Sequence, residues 1–73
     1  MRPLSKAEAG DYTITWLMGL PEAVNYLRNS DIREGSVLHV ICHSLDAVLI
    51  SCDGRRFMLG DEVAGRIQVT PCA

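Results

Sequence analysis

His39, Cys42 and His43 fall within one run of five residues, and these are the residue types that hold metal ions and build nucleophile–base pairs. Spacing decides whether such groups can meet. Successive side chains of a strand point to opposite faces, so Leu38, Val40 and Cys42 would share one face and His39, Ile41 and His43 the other. His39 and His43 would then stand about 13 Å apart at roughly 3.3 Å per residue, too far for one tetrahedral ion. Cys42 would point away from both. The same geometry denies Cys42 a histidine base, and no acid is placed to orient one. The reading is two solvated imidazoles and an inert, buried thiol. Gly54 and Gly60 are isolated, and no Gly-Lys-Ser/Thr pattern follows a glycine-rich loop, so no nucleotide cradle is expected. The residues predict no catalytic group, no cofactor and no metal ligands, hence a chain that is not an enzyme.

Composition narrows the remaining classes. Seventy-three residues make one small domain spanning 1–73, with a thin core, since a chain of this size buries only about 60% of its unfolded surface. A net charge of −2, with Arg55-Arg56 as the nearest thing to a basic run, argues against nucleic acid as a partner. Four aromatic residues, Tyr12, Trp16, Tyr26 and Phe57, are too few for a base-stacking platform. No apolar run approaches a membrane span, so direct membrane insertion is not expected and a cytoplasmic protein is. Three cysteines, Cys42, Cys52 and Cys72, are an odd count and suit reduced thiols.

The elements that must position these groups are organised around Gly35 to Leu59. Asp53-Gly54 between two apolar runs suits a two-residue hairpin turn, in which both central residues need positive φ. That turn pairs Cys52 with Arg55, Ile50 with Phe57 and Leu49 with Met58. The three-residue break Ser44-Leu45-Asp46 would likewise pair Cys42 with Val48 and Val40 with Ile50. Upstream, Asp11 to Met18 reads as a strand, with Tyr12, Ile14, Trp16 and Met18 alternating against Asp11, Thr13, Thr15 and Leu17. Pro21 to about Asn29 reads as a helix with Leu20, Ala23, Val24 and Leu27 on one stripe, closed by Asn29-Ser30-Asp31. After Leu59, Asp61 can cap one helical turn, Arg66 to Thr70 forms a final strand, and Pro71-Cys72-Ala73 frays. The order predicts a mainly β, small, partly open barrel of about five strands with one short helix between the first and second strands.

The register also exposes a question of surface. Val40, Ile50 and Phe57, with Cys42, Val48 and Leu59, would line the interior. On the other face Ile41, Leu49 and Met58 line up across three strands, with Val37 and Ala47 nearby. The helix covers this stripe as a second layer through Ala23, Val24 and Leu27, or the stripe is an apolar patch for a partner or for weak self-association. The first option is favoured, because the helix stripe must be buried somewhere. Leu17 and Met18, where the first strand ends, are a second candidate contact. Tyr12 and Trp16 are assigned to the core, and Arg55-Arg56 to a solvated turn.

With these residues in place the chain resembles the FeoA family of small accessory proteins of bacterial ferrous-iron transport. The resemblance runs from Leu4 to Val69. It rests on Gly54, Phe57-Met58-Leu59, Ala64, Ile67 and Val69 at matching gaps, on Gly35 with Leu38 and Val40, and on Ile14 and Gly19. The chain departs from the family's pattern at the helix end, where Tyr26-Leu27 and Ser30-Asp31 stand in place of Arg-Leu and Leu-Gly. The resemblance implies an SH3-like barrel that regulates or supports uptake by binding the FeoB-type ferrous-iron transporter, at its cytosolic GTP-binding domain or membrane-proximal face. Two alternatives accompany it: a relative of the SH3-like module at the C-terminus of iron-dependent repressors, and a protein that binds a transition-metal ion directly.

Overall fold

The computed structural model describes residues 1–72. Strand β1 (Arg2–Pro3) leads into a 3-10 turn (Leu4–Lys6), then β2 (Gly10–Leu17), helix α1 (Pro21–Asn29), β3 (Val37–His43), β4 (Ala47–Cys52), β5 (Arg55–Gly60), the single-turn helix α2 (Asp61–Ala64) and β6 (Ile67–Pro71). All six strands join one antiparallel sheet in the order β1-β6-β2-β3-β4-β5. The sheet curls as in SH3-like folds without closing, so β1 and β5 are its free edges. The sixth strand is β1, two residues long and too short to leave a periodic signal.

The hairpin β4–β5 has the pairing its turn dictates: Cys52 with Arg55, Ile50 with Phe57, Leu49 with Met58 and Val48 with Leu59. Asp53 and Gly54 sit at φ 56° and 79°, the paired left-handed conformation of a twisted two-residue turn. Helix α1 takes Pro21 in its first turn and closes with a Schellman motif. Asp31 N–H donates to the Arg28 carbonyl at 3.0 Å and Ile32 N–H to the Leu27 carbonyl at 2.8 Å, with Asp31 left-handed at φ 64°. The apolar contact that accompanies this motif is present too, since Leu27 and Ile32 are both buried.

Two strands depart from simple alternation. In the β2–β6 ladder Ile14 pairs with Val69 and Trp16 with Gln68, leaving Thr15 without a partner of its own. In the β3–β4 ladder Val40 pairs with Ile50, but Cys42 pairs with Leu49 and His43 with Val48, so Ile41 is the extra residue. Each bulge reverses the facing of every side chain beyond it. Trp16, assigned to the core on alternation, is 53% exposed, and Leu17 takes the interior position at 6%. Cys42, expected inside opposite Val48, is exposed, and His43 holds the place opposite Val48.

One core fills the interior, with Leu4, Ile14, Leu38, Val40, Ile50 and Ile67 among its buried members and Phe57 packed against it. Leu27 belongs to this same cluster, so α1 contributes to the main core and does not form a second layer over the outer face. Ile41 and Leu49 are half-buried there, and Met58 remains 59% exposed. Pro71 is still paired, with Tyr12, and the Cys72 N–H donates to the Asp11 carbonyl at 3.0 Å, which holds the end of β6 in place. Ala73, expected to fray, lies outside the described residues.

Candidate partner-binding surface

The two histidines are committed to different neighbours. Asp11 and His39 face each other across β2 and β3, and the His39 Nδ1–H donates to Asp11 Oδ1 at 2.7 Å. The His39 side chain is otherwise about half exposed. The bulge at Ile41 turns His43 the other way, and its Nε2 meets the Ala7 carbonyl oxygen. A carbonyl only accepts, so Nε2 must carry the proton there. The imidazoles therefore serve as hydrogen-bond donors that tie β3 to β2 and to the segment after the 3-10 turn.

The thiols are equally dispersed. Cys42 is exposed opposite Leu49, and Cys72 lies 3.4 Å from Thr13 Oγ1. Cys52 is buried with its thiol 3.5 Å from the Val37 carbonyl. Desolvation by burial pushes its pKa above the ordinary value, and the carboxylate of Asp53 adds to the effect. Among the described residues no three His, Cys, Asp or Glu side chains come together to hold a metal ion, and no enclosed cavity opens for a small substrate.

What the surface offers is of two other kinds. At one end of the molecule, arginines tie the end of α1 to the β4–β5 turn. Arg55 donates to the Ser30 carbonyl at 2.8 Å, lies 3.6 Å from Asp31 Oδ2, and stands 5.6 Å above the Phe57 ring centre. Arg33 holds Asp31 Oδ1 at 2.8 Å, and Arg28 meets Glu34 at 3.1 Å. All of these groups are well exposed, so each pair is worth no more than about 1 kcal/mol. Their role is geometric, because they clamp the left-handed Asp31. Arg55 and Arg56 are exposed beside the turn, as the sequence suggested, and Arg55 is in addition hydrogen-bonded within the chain.

The second kind is apolar, and two groups of exposed side chains bear on the expected contacts. The outer row Cys42–Leu49–Met58, flanked by Ile41, crosses β3, β4 and β5. The other lies where β2 leads into α1: Trp16, Met18 and Leu20 are 53%, 37% and 63% exposed. Of the residues expected to contact a partner, Ile41, Leu49, Met58 and Met18 reach the surface at least in part, while Leu17 is turned into the core by the bulge at Thr15. Trp16 takes its place outside. The signal that could have found it is the adjacent apolar pair Trp16-Leu17, only one of which can face inward. A small barrel admits the leucine more readily than the indole.

A family model described as the FeoA domain matches residues 2–71. A search of curated proteins finds no match. Among solved structures, a crystal structure titled as the iron uptake regulatory protein FeoA is 30% identical, covers 97% of this chain and 96% of its own, and superposes with a TM-score of 0.81. The solution structure of a FeoA protein from Chlorobium tepidum is 24% identical over 97% of this chain and 70% of its own, with a TM-score of 0.88. The repressor ScaR with bound zinc gives a TM-score of 0.89 at 20% identity. That match covers 99% of this chain but only 37% of the repressor, and it is a likeness of fold alone.

Proposed function

The chain belongs to the FeoA family, and from that membership we propose that it is a cytosolic accessory protein of bacterial ferrous-iron uptake that docks on an FeoB-type transporter. The observation that carries this reading is the extent of the family match, which takes in residues 2–71 of a 73-residue chain. The chemistry of the surface agrees with it. Imidazoles and three of the six arginines are spent on internal hydrogen bonds, while tryptophan, methionine and leucine side chains face outward. That distribution suits a binding module. On this reading nucleotide and iron chemistry stay with the transporter, and the chain regulates or assembles it. The described helices include none long and apolar enough to cross a membrane.

The test is titration of the intact chain with the transporter's cytosolic domain and, separately, with the full transporter. Saturable binding to either supports the proposal, and no binding to both overturns it.

A further inference from the structure

Trp16, Met18 and Leu20 occupy alternate positions of one five-residue stretch, and all three side chains are exposed. The bulge at Thr15 creates this arrangement, because it seats Leu17 in the core and turns the indole out. One arginine borders the stretch. The Arg66 carbonyl accepts the Met18 N–H at 2.8 Å, and the Arg66 side chain lies over Gly19, its Cδ 3.0 Å from where a Cβ on that glycine would stand. Gly19 has φ 122°, so only glycine fits comfortably both the backbone and the approach. Among the described residues Arg66 meets no carboxylate, whereas Arg28, Arg33 and Arg55 all do.

We propose that this lip, Trp16 to Leu20 with Arg66, is the docking surface for an acidic, apolar segment of the partner protein. Trp16 supplies the anchor and Arg66 the charge partner. Tryptophan and arginine are the residue types in which interface energy concentrates, and an unengaged guanidinium beside an apolar lip complements a carboxylate set among large apolar side chains. An anionic membrane fits less well, because such surfaces recruit clusters of about 4–8 cations. This chain offers one here and carries a net charge of −2. The inference rests on the transporter-docking reading and names the surface it would use.

Trp16 is the chain's single tryptophan, so its indole N–H gives one resolvable NMR signal in uniformly ¹⁵N-labelled protein. Adding the unlabelled cytosolic domain of the transporter should shift or broaden that signal. Trp16→Ser and Arg66→Glu should each weaken binding by about tenfold or more without changing the melting temperature appreciably, and Met58→Ser should leave affinity unchanged. Raising salt to about 0.5 M should weaken the wild type more than Arg66→Glu. Binding that persists in both lip variants overturns the surface assignment and leaves the accessory function standing. No binding by any form, either to the cytosolic domain or to the full transporter, overturns the accessory function, and this inference with it. An indole signal that moves instead with phosphatidylglycerol vesicles, or with the protein's own concentration, assigns the lip to lipid or to a second copy and overturns the proposal.

Discussion

The β4–β5 hairpin and the strands β2 and β3 have similar sequences in kind, runs of apolar residues interrupted by polar ones, yet they behave differently. The hairpin alternates without a break from its turn to Gly60. In β2 and β3 the ladder slips by one residue, at Thr15 and at Ile41. The hairpin is governed by a turn that allows a single pairing, so every side chain follows from Asp53-Gly54. The bulged strands each bring two adjacent apolar residues to the slip, Trp16-Leu17 and Ile41-Cys42, and period-two logic cannot say which faces inward. The difference separates the part of the molecule that fixes its register from the part that shapes its surface.

The largest effect expected from disturbing this contrast is in the hairpin interior. Ile50→Ala removes a fully buried side chain from the row shared with Val40 and Phe57, and should cost about 2–5 kcal/mol in chemical denaturation. In a domain this small that approaches the whole folding free energy. The bulge at Thr15 is tested by a pair of variants. Leu17→Ala should cost about 2–4 kcal/mol, and Trp16→Ser about 0.5 kcal/mol or less. An unbulged strand would give the reverse ranking, so the two denaturation curves distinguish the arrangements directly. Gly54→Ala places a Cβ at φ 79° and should cost about 1–2 kcal/mol, weakening the hairpin turn.

The smallest effect concerns Cys52. Its pKa is raised in the folded state by burial and by Asp53, so the folded thiol holds its proton longer than the unfolded one. Below the ordinary value of 9.0 both states are protonated and stability is unaffected. Above it the unfolded chain binds fewer protons, and stability should fall with rising pH. Comparing wild type with Cys52→Ala between pH 7 and about pH 10 isolates that slope, which should be shallower in the variant.

Much of the architecture was legible in the sequence because it is written in strong local signals. Pro21 starts the helix, Asn29 ends it as expected, and the three-residue break before Ala47 is present. The mainly β, SH3-like fold and the FeoA resemblance both hold. The orientation of side chains past Ile14 and past Val40 was not legible. A bulge changes no composition, and its only trace is an apolar pair where alternation calls for one apolar residue. For the candidate surface, this moved Leu17 inward, Trp16 outward, and separated His43 from the face of His39. The departure at Ser30-Asp31 is also accounted for. Where the resemblance leads one to expect glycine, Asp31 holds the left-handed position, clamped by Arg33 and Arg55.

The open sheet has a consequence for how the protein behaves when it is abundant. Strand β5 ends the sheet and presents backbone groups that another chain could adopt as a template. Its first two residues are Arg55 and Arg56, both exposed, so strands approaching edge to edge bring like charges together. Arg56 has no ion pair among the described residues, and its charge stays available for that repulsion. The open edge of this half-finished barrel therefore carries near its start an exposed cation, Arg56, unpaired among the described residues, where an apolar residue would have favoured pairing with a neighbour.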